Sequence, residues 1–172
     1  MLQRMIGVAT FKVSTYEEIE ADKSATSQAI IVVILVAIAT GIGGAGAAGW
    51  LGLVVGVIGA IISWILWAWI TFFIGTTLFK TAETKADWGE LARAIGFAQT
   101  PGLLRILGIV GVISGFVFLI ASVWQLATMV VGVRQALDYK STWRAVGVVV
   151  VGFIPLAVLM VVITTLLPGA GE

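Results

Sequence analysis

Long uncharged stretches separate three charged blocks along the chain. The charged blocks run from Arg4 to Lys23, from Lys80 to Arg105 and from Arg134 to Arg144. The uncharged stretches between and after them hold 56 residues (24–79), 28 residues (106–133) and 27 residues (145–171). A helix needs about 20 apolar residues to cross a bilayer. The first stretch is therefore predicted to hold two membrane helices, and the last stretch one.

The composition supports a membrane protein and excludes several kinds of chemistry. Of the 172 residues, 60% are hydrophobic and 11% charged, whereas soluble domains carry about 45–50% apolar and about 25% charged residues. There is no Cys and no His. This absence excludes disulfides, thiolate nucleophiles, Cys/His zinc sites and His-ligated cofactors. The predicted fold class is all-α, a polytopic transmembrane helical bundle.

The charges also predict the topology. Cytoplasmic loops of membrane proteins carry an excess of Lys and Arg, which places the N-terminus and both internal charged blocks in the cytoplasm. The stretch 106–133 must then leave and return on one side, as a short hairpin bent around Gly111 to Gly115. The chain would have five membrane segments and an outside C-terminus, with the segments at about 29–48, 50–79, 103–114, 116–133 and 145–167.

A second interpretation of the middle stretch stays open at this point. Residues 103–133 could form one long, tilted helix, because 28 residues extend about 42 Å in a straight helix. The chain would then cross the membrane four times, and one cationic loop would lie on the non-cytoplasmic side. The loop charges favour the hairpin.

The segment 1–28 is predicted to be cytoplasmic, without a signal peptide, since four acids precede the first apolar run. Residues 2–13 show helical spacing of apolar positions, which fits either a short interfacial helix or a frayed tail. Thr15 and Glu18 have the spacing of a capping box. A helix is therefore predicted to begin at Tyr16.

Small residues recur every fourth position near the first turn and the second span. Such stripes let helix backbones approach closely in lipid. The stripe could be an interface with another chain or a site of packing within one monomer, and the number of predicted segments favours the second. Its members are Gly44, Ala48, Gly52, Gly56 and Ala60.

An interfacial helix is predicted at 87–97. Asp87 and Glu90 have the spacing of a helix N-terminus, and an apolar face follows from Trp88 to Ile95. The same spacing turns Glu90 and Arg93 away from that face. The apolar face is predicted to lie in lipid or against the bundle.

No catalytic constellation is visible, and the cores of the predicted spans contain hydroxyls and one amide, Gln125, but no ionisable group. Pumps and ion-coupled transporters mark their pathways with such groups, so the sequence argues against that class. Gln125 and Thr128 could form an interhelical hydrogen bond. Arg134 and Asp138, four residues apart, could form a surface ion pair. Neither a metal nor a cofactor site is predicted, and no basic patch supports nucleic-acid binding.

Five motifs give the chain a resemblance to a known family. EIEAD at 18–22, QA at 28–29, LARAIGFAQTPG at 91–102, VRQALDYKSTWRA at 133–145 and GFIP at 152–155 occur in this order around the apolar segments. These motifs and their order resemble those of prokaryotic members of the Yip domain family, which is named after eukaryotic Ypt/Rab-interacting proteins. The resemblance implies a five-span membrane domain, and it implies that 91–102 and 134–138 matter most. The DLYGP-like motif of the eukaryotic relatives is missing, so GTPase binding does not carry over.

These observations predict a non-enzymatic protein of a prokaryotic cell membrane that acts through helix–helix and protein–protein contacts. One alternative is an accessory or scaffold subunit of a respiratory or photosynthetic complex. A small transporter or lipid-handling protein is the weaker alternative, motivated by the bent middle stretch. The predicted interaction residues are the five of the small-residue stripe and Arg93, Phe97, Pro101, Trp124, Gln125, Arg134 and Asp138.

Overall fold

The computed structural model describes residues 1–44, 49–84 and 86–166, and within these ranges it contains helices and turns but no strand. Two 3₁₀ helices, Thr100–Ile109 and Gly111–Ile113, interrupt the α-helices. The α-helices are α1 (Leu2–Ala9), α2 (Val13–Ala21), α3 (Ala25–Gly43), α4 (Gly49–Thr77), α5 (Trp88–Ala98), α6 (Ser114–Ala136) and α7 (Thr142–Leu166).

The two ends of the bundle differ in charge. At one end of the bundle lie the starts of α3 and α5, the end of α4 and the connection from α6 to α7. Lys140 forms an ion pair with Glu83 there, at 2.6 Å. We call this the charged end. At the other end α3 ends beside Arg105, and α4 and α6 begin. We call this the uncharged end, since Arg105 is the only Lys or Arg that the described contacts bring there.

Residues 103–133 form a hairpin and not one helix. The first limb is α5 followed by the 3₁₀ helix, and α6 runs antiparallel to it as the second limb. The Thr128 hydroxyl donates to the Ala98 carbonyl at 2.6 Å, and further along the Arg105 guanidinium donates to Ser122 Oγ at 3.1 Å. The chain reverses at 110–113, close to the predicted bend. The alternative of one long helix is therefore wrong.

Helix α5 lies in the centre of the bundle. The predicted helix N-terminus at Asp87 and Glu90 is confirmed: the two residues form a capping box, and the helix begins at Trp88. Every residue from Leu91 to Ala98 is buried, between α2, α3, α4 and α6. Arg93 points toward α2, which covers that side of the helix, so the Arg93 residue is only 6% exposed.

Helices α1 and α2 pack on the hairpin. The prediction of a helix within 2–13 is confirmed by α1, which buries Met5 and Val8. Helix α2 begins at Val13 with no side-chain cap, so the predicted start at Tyr16 is wrong. The reason is that Thr15 does not cap a helix but packs closely against Gly7 of α1.

Three helical stretches are long and apolar enough to cross a membrane: Ala25–Gly43, Gly49–Thr77 and Gly111–Ala136. In the most apolar window of Ala25–Gly43 and in that of Gly111–Ala136, 33% of the residues are buried. In the most apolar window of α4, only 17% of the residues are buried. Helix α4 is therefore the span that the rest of the chain covers least. In the part of α7 whose side chains are described, Thr142–Pro155 is a shorter apolar helix.

Candidate functional site

Arg93 caps the carboxyl end of α2. The last four carbonyl groups of a helix have no partner within the helix. The Arg93 guanidinium donates to two of those of α2, through Nε to the Ile19 oxygen at 3.0 Å and through Nη2 to the Glu20 oxygen. An unpaired carbonyl is costly in an apolar environment. The buried arginine is thus held by backbone acceptors, which explains how a charged residue fits the core.

Other buried donors bind carbonyls at helix ends in the same way. Trp124 Nε1 donates to the Ala9 oxygen at the end of α1, at 2.8 Å, and the Tyr139 hydroxyl donates to the Gly75 oxygen near the end of α4, at 2.7 Å. The Thr128 hydroxyl likewise donates to the Ala98 oxygen at the end of α5. The predicted interhelical hydrogen bond of Thr128 is therefore confirmed, with a backbone carbonyl as its acceptor.

Two further polar side chains link elements through backbone oxygens. Trp64 Nε1 donates to the Ala92 oxygen at 3.0 Å. The Tyr16 hydroxyl lies 3.2 Å from the Val8 oxygen and 3.1 Å from the Thr128 oxygen, either of which can accept its proton. Burial raises the pKa of Tyr16, so this hydroxyl stays protonated and remains a donor.

An acidic cluster lies at the charged end between α2, α5 and the end of α6. Glu20 is half-buried, and its Oε1 atom has no hydrogen-bond partner. Burial, together with the neighbouring carboxylates of Asp138, Glu90 and Glu17, raises the pKa of Glu20 to about 8. The Glu20 carboxyl is therefore mostly protonated at neutral pH.

Arg4 joins α1 to α2 and to the start of α3. Its guanidinium binds Glu18 at 2.8 Å and Asp22 at 2.7 Å, and it also donates to Gln28 Oε1 at 3.3 Å. Hydrogen bonds from Ser24 and Arg4 lower the pKa of Asp22 to about 2. The acidic run of α2 is thus partly neutralised within the chain.

Arg134 does not pair with Asp138. Its Nε atom donates to the Tyr139 oxygen at 3.2 Å and its Nη1 atom to the Thr142 hydroxyl at 3.3 Å. The helix ends at Ala136, and Asp138 is exposed with a φ of 54°. The four-residue spacing therefore does not fall within one helix, and the predicted ion pair is wrong.

At Gly56 the small-residue stripe makes no close contact inside the monomer. Gly56 is exposed, and a Cβ atom built there would have nothing within 4 Å. Gly44 is exposed, whereas Gly52 and Ala60 are half-buried. Ala48 lies outside the described residues. At Gly56 the stripe borders open space instead of a neighbouring helix.

A different pair of glycines makes the closest approach between elements. A Cβ atom on Gly43 would lie 1.6 Å from the Arg105 carbonyl oxygen, and one on Gly108 would lie 2.7 Å from the Gly43 oxygen. Backbone thus contacts backbone where α3 meets the 3₁₀ helix. The sequence gives no signal for this contact, because Gly43 and Gly108 are far apart in the chain and neither belongs to the small-residue stripe.

The remaining predicted residues occupy the core or its border. Phe97 is fully buried in α5, and Pro101 is buried in the first turn of the 3₁₀ helix. Gln125 is half-buried, and its Oε1 atom has no hydrogen-bond partner. These residues share the α5–α6 hairpin with Arg93 and Trp124.

Arg105 borders a groove that the sequence analysis missed. The groove has a volume of about 250 Å³ and lies between α3, α4 and the 3₁₀ helix. Arg105 had been assigned to a cytoplasmic block, although eleven uncharged residues (94–104) separate it from Arg93. That separation was a usable signal, because eleven helical residues extend about 16 Å and carry Arg105 away from the charged end.

The arrangement is suited to holding helices together. The buried donors described above bind backbone carbonyls. Among residues 1–44, 49–84 and 86–166, no group of three His, Cys, Asp or Glu residues is placed to hold a metal ion. The chemistry of these side chains is therefore that of helix–helix contact.

Comparison with known proteins gives one match. The sequence profile of the Yip1 domain matches residues 6–163, which is nearly the whole chain. No curated protein and no solved structure matches significantly. Yip1 domain proteins are membrane proteins, in agreement with the three apolar helical stretches. The chain belongs to the Yip1 domain family.

Proposed function

We propose that this protein is a non-enzymatic integral membrane protein that acts by assembling with a second copy of itself in the bilayer. The observation that carries the proposal is the outer face of α4. Val55 and Ile62 are 60% and 59% exposed, and between them a Cβ atom on Gly59 would have nothing within 4 Å. The face is apolar, runs along the longest helix and has no partner among the described residues.

The second copy is the partner that this face fits. Association of helices in lipid depends on close packing, which small residues permit. Gly59 and its neighbours offer a shallow depression flanked by apolar side chains, and a two-fold axis would bring the same surface of two copies together. The absence of charge on α4 favours an apolar partner over a charged segment.

Substitution of Gly59 by leucine tests the assembly. The added side chain should keep the α4 helices of two copies apart and weaken the dimer by about tenfold or more, because overpacking a contact typically costs about 1–3 kcal/mol. The measurement is the monomer–dimer equilibrium of the full-length protein in a mild detergent, followed by light scattering.

The matched control is Gly115→Leu, since Gly115 is also exposed with nothing within 4 Å of a Cβ atom but lies on α6. It should dimerise like the wild type. A Gly59→Leu protein with the wild-type equilibrium, or a wild-type protein that stays monomeric at all concentrations, would show that this face is not the interface.

We also propose five membrane segments, namely α3, α4, the two limbs of the α5–α6 hairpin, and α7, with the charged end in the cytoplasm. The clustering of Lys80, Arg134, Lys140 and Arg144 at one end supports this orientation. Because the chain has no native cysteine, Ser141→Cys can be labelled selectively. It should react with an impermeant maleimide only after cells are permeabilised. Labelling in intact cells would reverse the orientation.

A further inference from the structure

Arg105 differs from Arg4 and Arg93 because the described residues give it neither a carboxylate nor a backbone carbonyl as a partner. Arg4 binds two carboxylates, and Arg93 binds two carbonyls. Arg105 is half-buried, and its described partners are the Ser122 hydroxyl and the ring of Phe118, whose centroid lies 5.9 Å from Cζ. A guanidinium has five N–H donors. Most of the N–H donors of Arg105 have no acceptor in the described part of the chain.

The groove beside Arg105 has a direction. On α3 it extends from Thr40 to Val36, and on α4 from Gly56 to Ala60. Both pairs run from the uncharged end toward the middle of the bundle, because α3 and α4 are antiparallel. The Arg105 backbone therefore lies at the outer end of the groove, and the α3 and α4 residues that line the groove further in are Val36, Gly56 and Ala60, while Gln99 adds a polar group there.

The Arg105 backbone lies near the membrane interface at the uncharged end. Its carbonyl contacts Gly43, the last residue of α3. On the neighbouring helix, Leu53 contacts Gly41, and the exposed Trp50 lies one turn further out. Exposed tryptophans at the ends of membrane helices are typical of the interface between hydrocarbon and headgroups. From there the side chain extends inward, and its guanidinium lies beside Ser122 and Gly102.

We propose that Arg105 and its groove bind one anionic phospholipid of the leaflet at the uncharged end. The phosphate is held by the guanidinium, and one acyl chain lies over Gly56 and Ala60 toward the middle of the bilayer. Arginine suits this role because its planar donors match phosphate oxygens. Gln99 borders the same groove and adds an amide donor. The phosphate supplies the counter-charge that the protein lacks there, and the open space at Gly56 is filled by lipid.

Native mass spectrometry of the full-length protein in neutral detergent tests the proposal. Phosphatidylglycerol and phosphatidylcholine with identical acyl chains are added in separate titrations. The wild type should bind one phosphatidylglycerol in preference to phosphatidylcholine. Arg105→Gln should bind phosphatidylglycerol about tenfold to a hundredfold more weakly, the range expected for the loss of hydrogen bonds to a charged group.

Two further variants make the result specific. Gly56→Leu fills the groove without a clash and leaves Arg105 in place, so it should also weaken lipid binding while the protein stays folded. Arg144→Gln removes an exposed charge at the charged end and should bind like the wild type. The proposal would be overturned if Arg105→Gln bound phosphatidylglycerol as tightly as the wild type. If Arg105→Gln does not fold, the same result for Gly56→Leu would overturn it. Displacement of the lipid by equimolar inorganic phosphate would also overturn it, because the site would then hold free phosphate.

Discussion

Replacing Gly43 by alanine is expected to destabilise the protein by about 3 kcal/mol or more, the upper part of the range for overpacking. A Cβ atom at this position would lie 1.6 Å from the Arg105 carbonyl oxygen and 2.6 Å from its carbonyl carbon. Both atoms belong to backbone, so no side-chain rotation relieves the collision. Helix α3 must move away from the 3₁₀ helix, and the first limb of the hairpin loses its closest neighbour.

Thermal unfolding in a mild detergent measures the effect. The control is Gly115→Ala, where nothing lies within 4 Å of the added atom. Alanine is a better helix former than glycine, so this variant should be as stable as the wild type or slightly more stable. If Gly43→Ala unfolds at the same temperature as Gly115→Ala, the contact between α3 and the 3₁₀ helix is looser than the structure shows.

Local signals in the sequence predict the helices and their bends well. The charge-free stretches locate the apolar helices, and the spacing of Asp87 and Glu90 predicts the start of α5 at the right residue. The glycines at 111 and 115 indicate the reversal of the hairpin, because a membrane helix bends where the backbone lacks side chains. All of these features depend on residues close together in the chain.

Features that depend on how helices pack could not be predicted. The spacing of Arg93 turned it away from the apolar face, but α2 covers that side and offers it two carbonyls. The charged block predicts a cytoplasmic Arg105, whereas the first limb of the hairpin extends from α5 toward the uncharged end, for which the uncharged residues 94–104 are a usable signal. Gly43 is critical only because Arg105 lies against it. Each of these contacts joins residues that are at least 60 positions apart.

The pattern of side chains that bind carbonyls has a common physical origin. Helices α1, α2 and α5 each end against a side chain of another element, which donates to a terminal carbonyl. Trp124, Arg93 and Thr128 supply the missing donors, each from a different place in the sequence. An apolar chain with short helices needs such donors, because every unpaired carbonyl in hydrocarbon costs several kcal/mol. The few polar residues of the core are thus used to terminate helices.

Arg93→Met is the second substitution with a large expected effect. Methionine fills a similar length with an apolar stem but donates no hydrogen bond, so the Ile19 and Glu20 carbonyls at the end of α2 lose their partner. Each unsatisfied buried acceptor costs about 1–3 kcal/mol, which predicts a loss of about 2–6 kcal/mol for the two carbonyls. Thermal unfolding should report the loss. Hydrogen exchange should also quicken in α2, the helix that Arg93 closes.

Two comparisons separate this role from a general need for charge at the charged end. Arg144→Met removes an exposed arginine and should change stability by less than about 0.5 kcal/mol, as surface substitutions usually do. Arg93→Lys keeps the charge but lacks the planar fork that reaches two carbonyls at once, so it should lie between the wild type and Arg93→Met. If Arg93→Lys matched the wild type in both stability and α2 exchange, charge alone would suffice, and the paired hydrogen bonds would not be what holds α2 to α5.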